Sequence, residues 1–347
     1  MASYLQVFVF LLLLVCFCKS DDSLTPARPL SPGEVPVSGG GAFALGFFSP
    51  TNSTSELYVG VWYNKIPVRT YVWVANRNVP IKTSSSSSSS VKLFLTNGSD
   101  LVLSDANGGG TVWTTANNIS SGGDGATAVL LDTGNFVVRL PDGSEVWRSF
   151  EHPTDTIVPN VSFRLIYVAD RSRRIVSWRG PDDPSAGDFS MCGDSSSGLQ
   201  IVVWNATRLH WRRPAWTGAP IFGVMQRNTS FKLYQTIDGD TSNGLRFRLT
   251  VPDGSPPMRL TLEYTGMLTF LSWDSNTSSW TAFSEFPAAA YDQYASCGPS
   301  APAPAARQLR RASASTASFP STPSTSPEDV GGRRPTWDAA AAPEMAS

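Results

Sequence analysis

Two histidines, His152 and His210, and scattered Asp, Glu, Ser and Cys side chains are all that this 347-residue chain offers for a catalytic or metal centre. There is no H-E-x-x-H and no second histidine at ligand spacing, so a zinc site has no starting point. Gly193-Asp194-Ser195 has the makings of a serine nucleophile segment. Ser196 and Ser197, however, stand where glycines would let the backbone approach a substrate, and no G-x-S-x-G turn occurs. Asp238 and Asp240 open like a calcium loop, yet Gly244 falls one place late and Leu249 occupies the bidentate glutamate position. Asp182 and Asp183 are neighbours on a turn, whereas glycoside hydrolysis needs carboxylates opposed across about 5 to 9 Å. His152 sits in His-Pro-Thr-Asp, dense in turn formers, and is read as a turn residue bonded to the chain near Asp155. No catalytic residue, cofactor or metal is assigned. A net charge of -1 gives no electrostatic argument for nucleic acid or a membrane surface.

The elements that would position a binding site are hairpins. From Val129 to Pro159, alternating residues run through Arg139, PDG at Pro141 to Gly143 supplies a turn, and a second strand ends in Trp147. An earlier copy runs from Leu95 to Thr115 and closes on Trp113, a repeat of about 35 residues. A looser third copy runs from Phe43 to Trp62. The repeat predicts a pseudo-threefold β module with the indoles of Trp62, Trp113 and Trp147 meeting in its core, where each removes about 150 to 250 Å² from water.

Several ordered motifs give the chain a specific resemblance: GFFSP at Gly46, GVWYNKIP at Gly60, VWVANRNVP at Val72, LLDTGNFVVR at Leu130, VWRSFEHPTDTIVP at Val146 and SWRGPDDPSAGDFS at Ser177. From about Asp22 to Gly298 it resembles the extracellular region of plant S-locus glycoproteins and S-domain receptor kinases, which begins with a bulb-type lectin domain. The resemblance implies an all-β fold, a β-prism lectin domain at 21–150 followed by a second lectin-like domain at 151–286. It also implies secretion, and recognition of a glycan, a peptide or a receptor-kinase ectodomain in cell-cell recognition, such as pollen recognition, or in defence. Homodimers or heterodimers with S-domain receptors fit that role. A truncated, nonfunctional receptor-kinase product and a secreted carbohydrate hydrolase are the alternatives.

Secretion has its own signals. Residues 1–20 read as a signal peptide, with an apolar run from Val7 to Phe17 too short to span a bilayer and small residues before Asp21. Glycosylation sequons stand at Asn52, Asn97, Asn118, Asn160, Asn205, Asn228 and Asn276. Ser84 to Ser90 reads as a flexible loop. In the second domain SWRGPDDPSAGDFS reads as a loop. Strands are predicted at Leu199–Trp204, Arg212–Trp216, Ser230–Tyr234, Leu245–Val251, Met258–Tyr264 and Leu268–Trp273.

At Tyr291 the resemblance fails, because the family carries a cysteine there that opens an EGF-like module. Segment 287–347 is read as the remnant of that family segment, followed from Pro299 by an Ala/Pro/Ser/Arg-rich tail predicted to be disordered, a frame change or misjoined exon. Cys297 has thereby lost its expected partner, and no bridge to Cys192 is expected.

In bulb lectins the mannose site is Q-x-D-x-N-x-V-x-Y, read as lying on one strand. The matching residues are Thr96, Gly98, Asp100, Val102 and Ser104 in one hairpin copy and Leu131, Thr133, Asn135, Val137 and Arg139 in the other. One polar ligand survives in the second copy, so the site is degenerate and Asn135 is read as structural. Recognition is expected instead on loops of the second domain or on the face between domains, with Trp211, Arg212, Arg213 and Trp216 as candidate surface contacts.

Overall fold

The computed structural model describes residues 22–50, 56–82, 90–105, 110–116, 125–165, 174–194, 200–213, 233–240 and 244–287. Its strands form six antiparallel sheets, three built from residues before position 150 and three from residues after it. Each set of three is a β-prism. Both sets belong to one compact unit.

In the first prism, β2 (Phe43–Phe48), β3 (Glu56–Tyr63) and β4 (Tyr71–Val74) make one sheet, with β5 (Ile81–Lys82) flanking β3. The second sheet is β6 (Val91–Leu95), β7 (Leu101–Asp105) and β8 (Gly110–Thr114). The third is β9 (Thr127–Leu130), β10 (Phe136–Arg139) and β11 (Glu145–Arg148), with β1 (Ser23–Leu24) on its edge. The same event recurs in all three. Val61, Leu103 and Val138 pair with Trp73, Trp113 and Trp147, and the register slips immediately after each. Such a bulge adds local twist, which turns the sheet edge toward the axis.

The three indoles then meet edge to face. Their centroid separations are 6.0 Å for Trp73 and Trp113, 5.7 Å for Trp73 and Trp147, and 6.0 Å for Trp113 and Trp147. The expected triad is therefore corrected at one member, Trp73 taking the place assigned to Trp62. Trp62 directly follows the axial Val61, so strand alternation sends it to the opposite face. There it is buried against Tyr71 and lies under the Arg69 guanidinium, 4.3 Å from the ring centre. Trp113 is half-buried, on the open side of the triad.

A polar repeat accompanies the aromatic one. The backbone N–H groups of Val59, Leu101 and Phe136, at equivalent places on the three middle strands, donate to the side chains that follow each axial tryptophan. Those acceptors are Asn76 Oδ1 at 2.9 Å, Thr115 Oγ1 at 3.0 Å and Ser149 Oγ at 3.0 Å. Each satisfies a donor that would otherwise be buried without a partner.

The second prism has sheets of β12 (Thr156–Ile157), β20 (Met258–Leu262), β21 (Leu268–Asp274) and β22 (Ser279–Phe286); of β13 (Ser162–Leu165), β19 (Gly244–Thr250) and β18 (Tyr234–Asp240); and of β14 (Ile175–Gly180), β15 (Asp183–Gly193), β16 (Ile201–Asn205) and β17 (Arg208–Arg212). SWRGPDDPSAGDFS is not a loop. It forms the hairpin of β14 (Ile175–Gly180) and β15 (Asp183–Gly193), bulged between Val176 and Trp178 and again between Trp178 and Gly180. Gly187 permits this, since a Cβ there would collide with the Trp178 carbonyl. β17 (Arg208–Arg212) ends on the first residue of the strand expected at Arg212–Trp216, β18 (Tyr234–Asp240) starts on the last residue of the one expected at Ser230–Tyr234, and 214–232 lie outside the described residues. Trp216, Asn52, Asn118, Asn228, Cys297, the signal segment and the tail lie outside the described residues.

Candidate functional site

The residues matching the mannose motif do not share one strand. Leu131 to Asn135 is a hairpin loop closed by the Leu131 N–H on the Asn135 carbonyl, and Gly134 takes φ 81° inside it. A glycine relieves the steric cost of that left-handed turn. The first copy has the same loop from Thr96 to Asp100, with Ser99 at φ 65°. Asn135 faces inward: it is buried, and its Oδ1 accepts from Ser149 Oγ at 3.0 Å and from the Phe150 N–H at 3.2 Å. It fastens the hairpin to the 3-10 turn Ser149–Glu151. The register also identifies the third copy that the sequence left unaligned. Glu56, Tyr58, Gly60 and Trp62 stand at the places of Thr133, Asn135, Val137 and Arg139, and none of them matches the motif.

The surface candidates of the second prism divide by strand alternation. Trp211 is buried and stacks on Phe286 at 5.5 Å, and Arg213 is buried with Nη1 on Gln235 Oε1 at 2.9 Å. Neither is available to a partner, which corrects that expectation. Only Arg212 points outward, paired with Asp194 at 3.3 Å. The described sequon residues Asn97, Asn160, Asn205 and Asn276 are all exposed. Cys192 is buried, and burial pushes its thiol upward in pKa. His152 stacks on Trp147 with ring centres 5.8 Å apart, and its carbonyl receives the Trp73 indole N–H at 3.0 Å.

Two motifs singled out in the sequence turn out to be the two halves of one joint. Arg77, in VWVANRNVP, reaches into the hairpin formed by SWRGPDDPSAGDFS. Its Nε donates to the Pro184 carbonyl at 2.8 Å, Nη1 to Val176 at 3.0 Å and Nη2 to Ser177 at 2.7 Å. Next to it the Ala186 N–H donates to Asn78 Oδ1 at 2.9 Å. Burial lowers the Arg77 pKa to about 10, against the pull of Asp155 and Asp183, so it stays charged at neutral pH. The Tyr63 hydroxyl donates to the Met258 carbonyl at 2.6 Å and the Trp280 indole to Thr70 Oγ1 at 2.8 Å.

Beside this joint a cleft of about 410 Å³ opens between the prisms. Aromatic walls come from Tyr71 and Trp178, whose rings are stacked 6.0 Å apart, and from Trp280. Asp155 and Arg259 lie at its floor, and Arg69, Asp182 and Glu263 also line it. Val68 and Tyr264 at the mouth are 52% and 48% exposed, among the most exposed large apolar side chains described. Burial raises the Tyr71 hydroxyl to about 12, raises Asp155 and lowers Arg259. Faces of aromatic rings beside carboxylate and guanidinium groups suit a ligand with one apolar face and many hydroxyls. A second cleft of about 360 Å³ adjoins the indole triad, but those rings are already packed on one another. Tyr71, Arg77, Trp178, Arg259 and Trp280 are candidate functional residues that no motif or spacing in the sequence singles out. Arg77 between two asparagines in an otherwise apolar motif was the one local signal.

The D-mannose binding lectin domain matches residues 70–179 and the S-locus glycoprotein domain residues 204–308. The S-locus-specific glycoprotein S6 of Brassica oleracea is 35% identical over 86% of this chain and 68% of its own length. The receptor-like serine/threonine-protein kinase SD1-8 of Arabidopsis thaliana is 35% identical over 85% of this chain, which spans 35% of that kinase's length. Among solved structures, a monomeric monocot mannose-binding lectin from Gastrodia elata superposes on 37% of this chain and 96% of its own, at 17% identity and a TM-score of 0.27. No helix among the described residues is long and apolar enough to cross a membrane. The S6 match, together with the two domain matches in order along the chain, shows that the chain belongs to the S-locus glycoprotein family.

Proposed function

We propose that this chain is a secreted, glycosylated recognition protein with modules at 21–150 and 151–286 that binds saccharide in the cleft between its prisms. The observation that carries this reading is the convergence of Tyr71, Trp178 and Trp280 with charged side chains in one cleft. In the same chain no copy of the motif keeps more than one of its polar ligands, and the one kept, Asn135, is buried and bonded within the fold. Cell-cell recognition such as pollen recognition, or defence signalling, asks for binding of this kind and no chemistry. Purified, secreted chain on a glycan array tests the proposal. Saccharide binding should be lost in Trp280→Ala and kept in Asn135→Ala variants that remain folded. The reverse pattern, or no saccharide bound at all, would overturn it. A second reading, docking of a peptide or receptor ectodomain at the same mouth, draws on exposed Val68 and Tyr264. Competition between saccharide and ectodomain for one site would join the two readings.

A further inference from the structure

We infer that the ligand of the cleft is an acidic saccharide, held through a uronate carboxylate by Arg259 at the floor and Arg69 at the rim. This rests on the saccharide reading above.

Arg259 is the residue that the fold leaves unexplained. On β20 (Met258–Leu262) it lies between buried Met258 and Leu260, so alternation turns it from the second prism's core toward the first prism. Its guanidinium carbon stands 4.9 Å from the centre of the Trp280 ring, and its Nε is buried without a hydrogen-bond partner. No hydrogen bond or ion pair joins the guanidinium to any described residue. The two other buried arginines behave otherwise, Arg77 on backbone carbonyls and Arg213 on Gln235. A guanidinium carries five donors in a planar fork that fits a carboxylate with two parallel bonds, and buried donors are as a rule satisfied. The missing partner is thus planar, anionic and external.

The rest of the cleft says what carries that carboxylate. Asp155 shares the floor, but its carboxyl receives the Thr154 hydroxyl at 3.3 Å and forms no ion pair with Arg259. Burial raises the Asp155 pKa, against the pull of Arg77 and Arg259. Arg69 adds a second guanidinium near the mouth, lying on Trp62. Asp182 and Glu263 at the rim would repel a second anion but accept from hydroxyls, and the Trp178 and Trp280 rings offer stacking faces. One carboxylate, several hydroxyls and an apolar ring face describe a hexuronate.

The test uses the full secreted chain with trigalacturonate, its methyl ester and the neutral trisaccharide maltotriose in calorimetric titrations. Trigalacturonate should bind at least about tenfold more tightly than its ester, the usual yield of a charge-assisted bond. Arg259→Met, which keeps an apolar stem on Trp280, should erase that preference without lowering the Tm, because the guanidinium makes no hydrogen bond or ion pair with a described residue. Equal binding of acid and ester, or a preference that survives Arg259→Met, would overturn the inference and leave the saccharide reading intact. A Tm several degrees lower in Arg259→Met would mark the residue as structural and also overturn it. Failure of all saccharides to bind would remove both.

Discussion

The two prisms share a plan but direct their tryptophans differently. In the first, one indole from each sheet turns inward and the three close on the axis, edge to face. In the second, Trp211 and Trp273 are buried within the module, while Trp178 and Trp280 face the neighbouring prism and line the cleft. The second module thus adds to its buried indoles two half-buried ones that line the cleft. The difference also separates two kinds of charged residue at the joint, Arg77 bonded to carbonyls and Arg259 lying on the Trp280 ring with its Nε unbonded.

The largest expected effect tests the inward triad. Trp147→Ala should cost about 3 to 5 kcal/mol in urea unfolding, since it removes a buried ring touching both other indoles and Phe136. Trp280→Ala, from a partly exposed site, should cost about half as much. Equal losses would mean that the second prism depends on its cleft aromatics as the first does on its triad.

Next comes the joint. Arg77→Met leaves the carbonyls of Val176, Ser177 and Pro184 buried without donors, at a cost of about 2 to 4 kcal/mol. Lysine should rescue little, because an ammonium cannot span the same fork. Stability unchanged in Arg77→Met would show that the prisms hold together without it. The contrast with Arg259→Met, expected to be neutral, sharpens the distinction between a structural and a waiting guanidinium.

The unequal legibility of the two prisms has a physical cause. The first could be read because strand alternation and a V-W dipeptide recur in cis, at 72–73, 112–113 and 146–147. The third copy was misphased because the hairpin β2-β3 also ends near a tryptophan, and only the bulge after Val61 shows which indole is axial. Trp211 and Arg213 were misread because two arginines beside two tryptophans look exposed, whereas alternation buries every second one. The joint was unreadable in principle. Arg77 binds main-chain carbonyls about 100 positions away, and a carbonyl leaves no mark in the sequence. The left-handed loop at Gly134 hid the break in what looked like one continuous strand.

The smallest effect distinguishes the prisms by their response to acid. In the second, His210 packs on Phe189 at 4.9 Å with its Nε2 buried and unpartnered, and burial lowers its pKa below the ordinary 6.5. In the first, Glu145 sits between Arg148 at 2.7 Å and Arg139 at 3.0 Å, and bonding to Arg148 lowers its pKa below the ordinary 4.5. Both folded-state values are depressed, so as pH falls the unfolded chain takes up each proton first and stability declines. The windows differ. His210 stabilises the fold fully above 6.5, and that contribution is lost as pH drops from there to its lower folded value. Glu145 acts only from 4.5 downward, and its half-exposed arginine partner keeps the effect small. The urea midpoint should therefore begin to fall near pH 6.5, well before the carboxylates titrate. His210→Gln should flatten that first decline and leave the one below 4.5 unchanged. A first decline that persists in His210→Gln would show that the acid-sensitive point is not the His210 contact with Phe189.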